Sequence, residues 1–242
     1  LLSGYTLFSQ ELPSQAKQKE QEFLENLKQA EESGNQNEIA KYHNKLGFLY
    51  WEANQLNASI DHFKQSIVLN KNIGNDNALK GIYTNMGMIY SDKASYEEAL
   101  LYFRKALMLA RNANKKREIA NQLKNISVTL DHLGRYDEAI KNLEEASGIA
   151  QEEKDLKLLK SIYFMLSEIY KKKGDQQKSM DFFNLYASFE KKYQQVEIKK
   201  KEKETEEKIN VMKGITDKAI AEKEEKEKEL EKTADSLQKV EK

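Results

Sequence analysis

Apolar and small residues recur along this chain at intervals of 40 residues. Each period has a small residue, an apolar residue three positions later, and a second apolar residue sixteen positions after the small one. The small residues are Gly47, Gly87, Ser127 and Ser167, and the two apolar series are Tyr50, Tyr90, Leu130 and Tyr170, and Phe63, Phe103, Leu143 and Phe183. A period of about 20 to 50 residues is typical of a solenoid, whose units bury their apolar faces only against neighbouring units.

Each period carries the pattern of two helices. In the second period, the first apolar stripe follows the i, i+3, i+4, i+7 spacing of one helix face and consists of Tyr83, Met86, Gly87 and Tyr90. The second stripe consists of Ala99, Leu100, Phe103, Ala106, Leu107 and Ala110. Polar residues 91–95 separate the two stripes. Gly134 and Gly174 lie in the corresponding turns of later periods, where a helix end requires a left-handed residue.

The chain is therefore predicted to be all-α, an α-α superhelix of about four helix pairs followed by a long C-terminal helix. The repeats are predicted over residues 35–190, with boundaries at about 36–74, 75–114, 115–154 and 155–190. An amphipathic stripe that includes Phe23 and Leu27 predicts a capping helix over residues 16–34. Residues 1–15 are expected to be a signal-peptide remnant or disordered, and residues 191–242 to form a charged rod or coiled coil.

The small residues are predicted to allow close approach of the paired helices. Gly47 and Gly87 fall at this position in the first two repeats, and Phe63 and Phe103 are expected to fill the adjoining grooves. In the fourth repeat, Tyr186 occupies a position that is small in the preceding repeats. It is predicted to end the stack by preventing a fifth unit from docking.

Glutamate and lysine dominate the C-terminal segment, with short apolar stretches at both ends. The apolar residues predict a seam for a parallel homodimer, formed by Phe189, Tyr193, Val196, Leu230, Leu237 and Val240. Charged residues occupy the seam positions between these stretches, which predicts weak pairing. The alternatives are a solvated single helix and a helix that folds back over the last repeat, and Gly214 is the expected place for a bend.

Composition excludes several classes of function. The 242 residues contain 40 acidic and 40 basic side chains, so charge gives no reason to expect a nucleic-acid partner. Cysteine is absent, which excludes disulfides and thiolate metal sites, and no apolar run is long enough to span a bilayer. Residues 1–10 are apolar and favour the end of a secretory signal, hence a periplasmic or exported location; a truncated terminus and a cytoplasmic location are the alternatives.

No constellation of residues predicts catalysis, a metal or a cofactor. His43, His62 and His132 lack a metal-ligand spacing and are each expected to be structural or surface residues without a suitable neighbour. No glycine-rich phosphate loop lies between a strand and a helix. The chain is therefore predicted not to be an enzyme, although an effector such as a kinase could follow it.

The repeated residues resemble those of the tetratricopeptide repeat (TPR) family. The second repeat carries the best match, formed by Tyr83, Met86, Gly87, Tyr90, Tyr96, Ala99, Phe103 and Ala106. The 40-residue units of this chain are longer than the common TPR unit of about 34 residues. In this they are similar to the long TPR repeats of bacterial sensor histidine kinases. In this family the first helix of each repeat lines a concave face. The resemblance implies that this face contains Asn44, Phe48, Trp51, Thr84, Met88, Lys124, Val128, Asp131, Phe164 and Glu168.

These features predict a non-catalytic module that binds a protein or peptide on its concave face. The favoured hypothesis is the sensor region of a bacterial signal-transduction protein, with the C-terminal helix mediating dimerisation and signal relay. A freestanding cytoplasmic scaffold is the alternative. A TPR regulator with phosphatase activity on a signalling partner is a lesser one.

Overall fold

A computed structural model describes residues 13–240, although not the side chains of residues 229, 231 and 233–240. This part of the chain forms nine helices and no strand, which confirms the all-α prediction and the long C-terminal helix. The helices are α1 (Ser14–Glu32), α2 (Gln36–Glu52), α3 (Leu56–Asn72), α4 (Asp76–Asp92), α5 (Tyr96–Asn112), α6 (Lys116–His132), α7 (Tyr136–Glu152), α8 (Leu156–Lys172) and α9 (Gln176–Val240). The chain divides into two compact units, Leu1–Ala187 and Ser188–Lys242.

Helices α2 to α8 share one design, in which 17 helical residues are followed by a three-residue connection. Each connection of the stack contains one residue with a positive φ angle, spaced 20 positions from the next. These residues are Gly34, Asn54, Gly74, Ala94, Asn114, Gly134, Lys154 and Gly174. In the turn after α4, the N–H of Ser95 donates to the carbonyl of Tyr90 over 2.8 Å. This bond uses a carbonyl that the helix end would otherwise leave unpaired.

The predicted close approach of paired helices is present between α2 and α3 and between α4 and α5. A methyl group at Gly47 would lie 2.8 Å from the ring of Phe63, and one at Gly87 would lie 2.5 Å from the ring of Phe103. In the third repeat the equivalent residues are Ser127 and Leu143, and the Ser127 Oγ donates to the carbonyl of Leu123 over 2.8 Å. In the first two repeats, glycine at this position therefore leaves room for the phenylalanine ring.

Charged pairs connect neighbouring repeats along the stack. Arg104 lies 3.8 Å from Glu138, and Arg111 lies 2.7 Å from Glu145, which joins α5 to α7. These pairs are exposed to solvent, so each contributes little to the stability of the fold. The buried apolar residues between the helices therefore supply most of the stability of the stack.

The fourth repeat is completed by the beginning of α9. Phe182 stacks on Tyr170 with ring centroids 5.4 Å apart, and Tyr186 lies 5.3 Å from Phe164. Phe183 stays 45% exposed. Gly214, where the sequence predicts a bend, lies inside α9, whose helical span is unbroken from Gln176 to Val240.

Candidate binding face of the first helices

The ten predicted binding residues all lie on the first helices of the repeats, α2, α4, α6 and α8. Three of them form a series at equal positions in successive repeats: Phe48, Met88 and Val128, which are 38%, 37% and 40% exposed. Phe164 on α8 is 46% exposed and lies one helical turn earlier in its repeat. Exposed apolar side chains therefore recur along the first helices.

Trp51 belongs partly to the core and partly to this face. Its ring packs against the apolar core of the first two repeats and lies 6.2 Å from the ring of Phe48. The indole Nε1 donates to Oδ2 of Asp92 on α4 over 3.0 Å. Trp51 therefore connects the first repeat to the second. Its replacement would lower the stability of the fold as well as the affinity for any ligand bound at this face.

A cavity of about 430 Å³ lies between α4 and α6. Amide, hydroxyl and charged side chains predominate in its lining, which consists of Lys80, Gly81, Thr84, Asn85, Met88, Glu118, Asn121, Gln122, Lys124 and Asn125. Lys80 forms an ion pair with Glu118. The charges of Lys80 and Glu118 cancel. Lys124 therefore gives the lining of the cavity a net positive charge.

Gln122 is the least expected residue of this cavity. It is 6% exposed at a position where the neighbouring repeats have Ile82 and Ile162. The Thr84 hydroxyl donates to the carbonyl of Lys80, so its oxygen is left to accept from the Gln122 Nε2 over 2.9 Å. Among the described residues, no protein group donates a hydrogen bond to the Gln122 Oε1.

A buried acceptor without a donor costs about 1–3 kcal/mol, which an isoleucine at position 122 would avoid. A glutamine in an otherwise apolar series is a signal for this residue in the sequence, although the predictions above do not include it.

A second cavity of about 290 Å³ lies between α6 and α8 and shares Asn121 and Lys124 with the first. Arg117 and Asp155, both in its lining, form an ion pair over 3.2 Å. Lys157 also lines this cavity. The two cavities together therefore present amide groups and a net positive charge along three successive first helices.

Other predicted binding residues are already engaged within the stack. Asp131 accepts from the Nζ of Lys172 on α8 over 2.6 Å, and Thr84 belongs to the hydrogen-bond chain with Gln122. Asn44 is half-buried, and its Oδ1 is shielded from solvent. Glu168 is also half-buried. Phe48, Met88, Val128, Lys124 and Phe164 are consequently the residues best placed to meet a partner.

The histidines have ring neighbours on other helices that the sequence did not predict. The Nδ1 atoms of His43 on α2 and His62 on α3 lie 3.0 Å apart. His132 stacks on Tyr96 at 4.5 Å between ring centroids. The single-helix patterns did not reveal these contacts, because each joins residues of different helices.

Residues 13–240 contain no group of three or more histidine, aspartate or glutamate side chains that could hold a metal ion. Within the same residues, no helix is both long and apolar enough to cross a bilayer. The predicted signal segment, residues 1–10, lies outside the described residues, so the predicted location stays a prediction.

The predicted dimer seam lies on α9, and its residues differ in exposure. Val196 and Leu230 are 48% and 68% exposed, whereas Phe189 and Tyr193 are half-buried. The side chains of Leu237 and Val240 are outside the described residues. The seam prediction omitted a cluster of exposed apolar residues in the middle of the segment, formed by Ile209, Val211, Met212, Ile215 and Ile220.

Comparison with known proteins identifies the repeats. Two tetratricopeptide-repeat family models match residues 78–152 and residues 161–193, which confirms the predicted TPR repeats in these ranges. Repeats of this kind form protein-interaction modules, and no catalytic family is indicated. No curated protein matches the chain by sequence.

Many solved structures share the fold, and three of them illustrate the likeness. BtubC from P. vanneervenii is similar with a TM-score of 0.68 at 19% identity, and the match covers 75% of each chain. Aspartyl phosphate phosphatase F from Bacillus subtilis has a TM-score of 0.59 at 22% identity, over 64% of this chain and 41% of that one. A Rap protein complexed with competence and sporulation factor has a TM-score of 0.55 at 22% identity, over 72% of this chain and 50% of that one. At these identities the likeness shows the fold alone.

Proposed function

We propose that this chain is the peptide- or protein-binding sensor region of a bacterial signal-transduction protein, and that its α9 segment mediates dimerisation and signal relay. The observation that carries the binding role is the surface of the first helices. There, exposed Phe48, Met88 and Val128 lie at equal repeat positions, and Met88 lines the first of two cavities rich in amide and charged groups. Exposed apolar side chains can anchor a partner, while neighbouring amides pair with its polar groups.

Gln122 supports a binding role because its buried side chain holds an acceptor that no described protein group pairs with. A buried amide with an unused acceptor is retained at a position that tolerates isoleucine in other repeats. Polar groups that reduce stability are common at binding sites, where a ligand can provide the missing partner. The cavity between α4 and α6 is therefore the proposed centre of the site.

The structural likeness to Rap and to aspartyl phosphate phosphatase F favours a second candidate, a TPR regulator that acts on a phosphorylated signalling partner. A freestanding cytoplasmic scaffold is a third candidate. In the sensor proposal the chain is exported, whereas the other two place it in the cytoplasm. All three candidates use the same binding face, so they share the first test.

A peptide-display selection against the full chain provides a ligand with which the face can be tested. The affinity of a selected peptide for Met88→Lys and for Met108→Lys should then be measured by fluorescence anisotropy. Met88 lies on the first-helix face, whereas Met108, which is 55% exposed, lies on the second helix α5. We expect Met88→Lys to weaken binding at least about tenfold, because a desolvated anchor side chain commonly contributes more than about 1 kcal/mol.

Met108→Lys is the matched control, since it makes the same change at an exposed site outside the proposed face. Circular dichroism should show that both variants keep the helical content of the native chain. Equal affinities of the two variants, or a larger loss in Met108→Lys, would refute the first-helix face as the binding surface.

A further inference from the structure

In the second and fourth repeats, one aromatic side chain of the second helix packs against two aromatic side chains of the first helix. In the first repeat, two of these three residues are histidines. In the second repeat, the ring of Tyr102 lies 6.1 Å from that of Tyr83 and stacks on Tyr90 at 5.4 Å. The fourth repeat has the same arrangement, with distances of 6.2 and 5.4 Å, and it is formed by Phe182, Tyr163 and Tyr170. The equivalent residues of the first repeat are His62, His43 and Tyr50.

His62 lies 5.3 Å from His43 and stacks on Tyr50 at 5.3 Å between ring centroids. The two Nδ1 atoms are 3.0 Å apart, a hydrogen-bond distance that requires one nitrogen to donate and the other to accept. One proton between the two nitrogens satisfies this geometry. When both rings are protonated, two N–H groups and two positive charges face each other, and the rings must separate.

The histidine pair is connected to the capping helix α1 through Tyr50. The Tyr50 hydroxyl donates to Oε1 of Glu20 on α1 over 2.5 Å. Burial and the Glu20 hydrogen bond raise the pKa of Tyr50 to about 12, so this phenol stays neutral. Separation of the histidine rings would remove the surface on which Tyr50 stacks and would weaken its hold on α1.

The histidines favour their neutral forms in the folded chain. Burial lowers the pKa of His43 and that of His62 below the ordinary value of 6.5. The charge on His62 lowers the pKa of His43 further. The carboxylates that face the pair, Glu20 and Glu31 on α1 and Asp61 on α3, act in the opposite direction without overcoming burial.

Because the folded pKa values are lowered, the unfolded chain binds protons more readily than the folded one. The stability that the neutral pair contributes is therefore fully present above about pH 6.5 and is lost as the pH falls below that value.

We propose that the His43–His62 pair is a proton-sensitive lock, which holds α1 on the first repeat at neutral pH and releases it on acidification. Release exposes apolar side chains of α2 that α1 otherwise covers, among them Leu46 and Leu49, which pack with Leu27 of α1. The device is independent of the proposed binding face. A failure of either proposal leaves the other standing.

Hydrogen–deuterium exchange of the full chain at about pH 7.5 and about pH 5, corrected for intrinsic exchange rates, tests the lock. Protection of residues 14–32 is expected to fall about tenfold or more at the lower pH, while α4 to α7 keep theirs. The comparison variant combines His43→Tyr with His62→Tyr, which reproduces the residues of the second repeat. In this variant, α1 should keep its protection at both pH values.

The variant retains Glu20, Glu31 and Asp61, so titration of these carboxylates is common to both chains. If the double variant does not fold, His62→Phe, which has the residue of the fourth repeat, takes its place. Nuclear magnetic resonance titration of the native imidazoles gives a second readout, in which the two rings should titrate in coupled steps. Unchanged protection of α1 in the native chain, the same loss in the variant, or independent titration of the two rings would each overturn the proposal.

Discussion

At the scale of single residues, the packing of α4 against α5 depends on the absence of a side chain at Gly87. Replacing glycine by alanine inside a helix ordinarily adds about 0.5–1 kcal/mol of stability. Here the new methyl group would lie 2.5 Å from the Phe103 ring. We expect Gly87→Ala to lower the free energy of unfolding by about 1–3 kcal/mol, the usual cost of overpacking. Urea unfolding followed by circular dichroism measures this difference.

Gly81 is the control for this prediction, because it lies on the same helix and a methyl group there would meet no atom within 4 Å. Gly81→Ala should therefore raise the free energy of unfolding by about 0.5–1 kcal/mol. Combining Gly87→Ser with Phe103→Leu reproduces the Ser127 and Leu143 pair of the third repeat, and it should recover most of the loss. Equal effects of the two alanine variants would show that the Phe103 contact does not limit the residue at position 87.

At the scale of helices and turns, the stack uses one turn geometry with different residues. Gly134 and Gly174 adopt φ angles of 70° and 80°, whereas Ala94 adopts 54° in the corresponding turn of the second repeat. A left-handed conformation costs a residue with a Cβ atom about 1–2 kcal/mol. Ala94→Gly relieves this cost, although glycine also increases the entropy of the unfolded chain. We expect a net gain of about 1 kcal/mol in the free energy of unfolding, measurable by urea titration.

The reverse change, Gly134→Ala, should destabilise the chain by a similar amount, because a residue with a Cβ atom is strained at this positive φ angle. No atom lies within 4 Å of the new methyl group, so a clash does not contribute. A gain in stability from Gly134→Ala would contradict the conformational explanation. Together these two changes isolate backbone conformation from packing.

The helices could be predicted from the sequence because their apolar spacing is local and recurs four times. The close approach of α2 and α3 at Gly47 could be predicted too, because Gly47 and Phe63 are sixteen residues apart and this spacing recurs in each repeat. The contact between His43 and His62 was missed, because it depends on which faces of α2 and α3 meet. The Gln122 network was missed for a similar reason, as it joins α6 to Thr84 of the preceding repeat.

At the scale of the whole molecule, the proposed relay requires that two copies associate through the segment that begins at Ser188. We expect light scattering to give twice the chain mass for the full chain, and the mass of one chain for a chain ending at Lys191. Met212→Lys combined with Ile215→Lys should shift the full chain towards monomer. Burial of each apolar side chain in the dimer would contribute about 1.5–3 kcal/mol to association, and the lysines would remove this contribution. Lys213→Ala combined with Lys218→Ala, which changes exposed charges in the same stretch, should leave the mass unchanged. A full chain that stays monomeric at every concentration would remove the mechanical basis of the relay and would favour the scaffold.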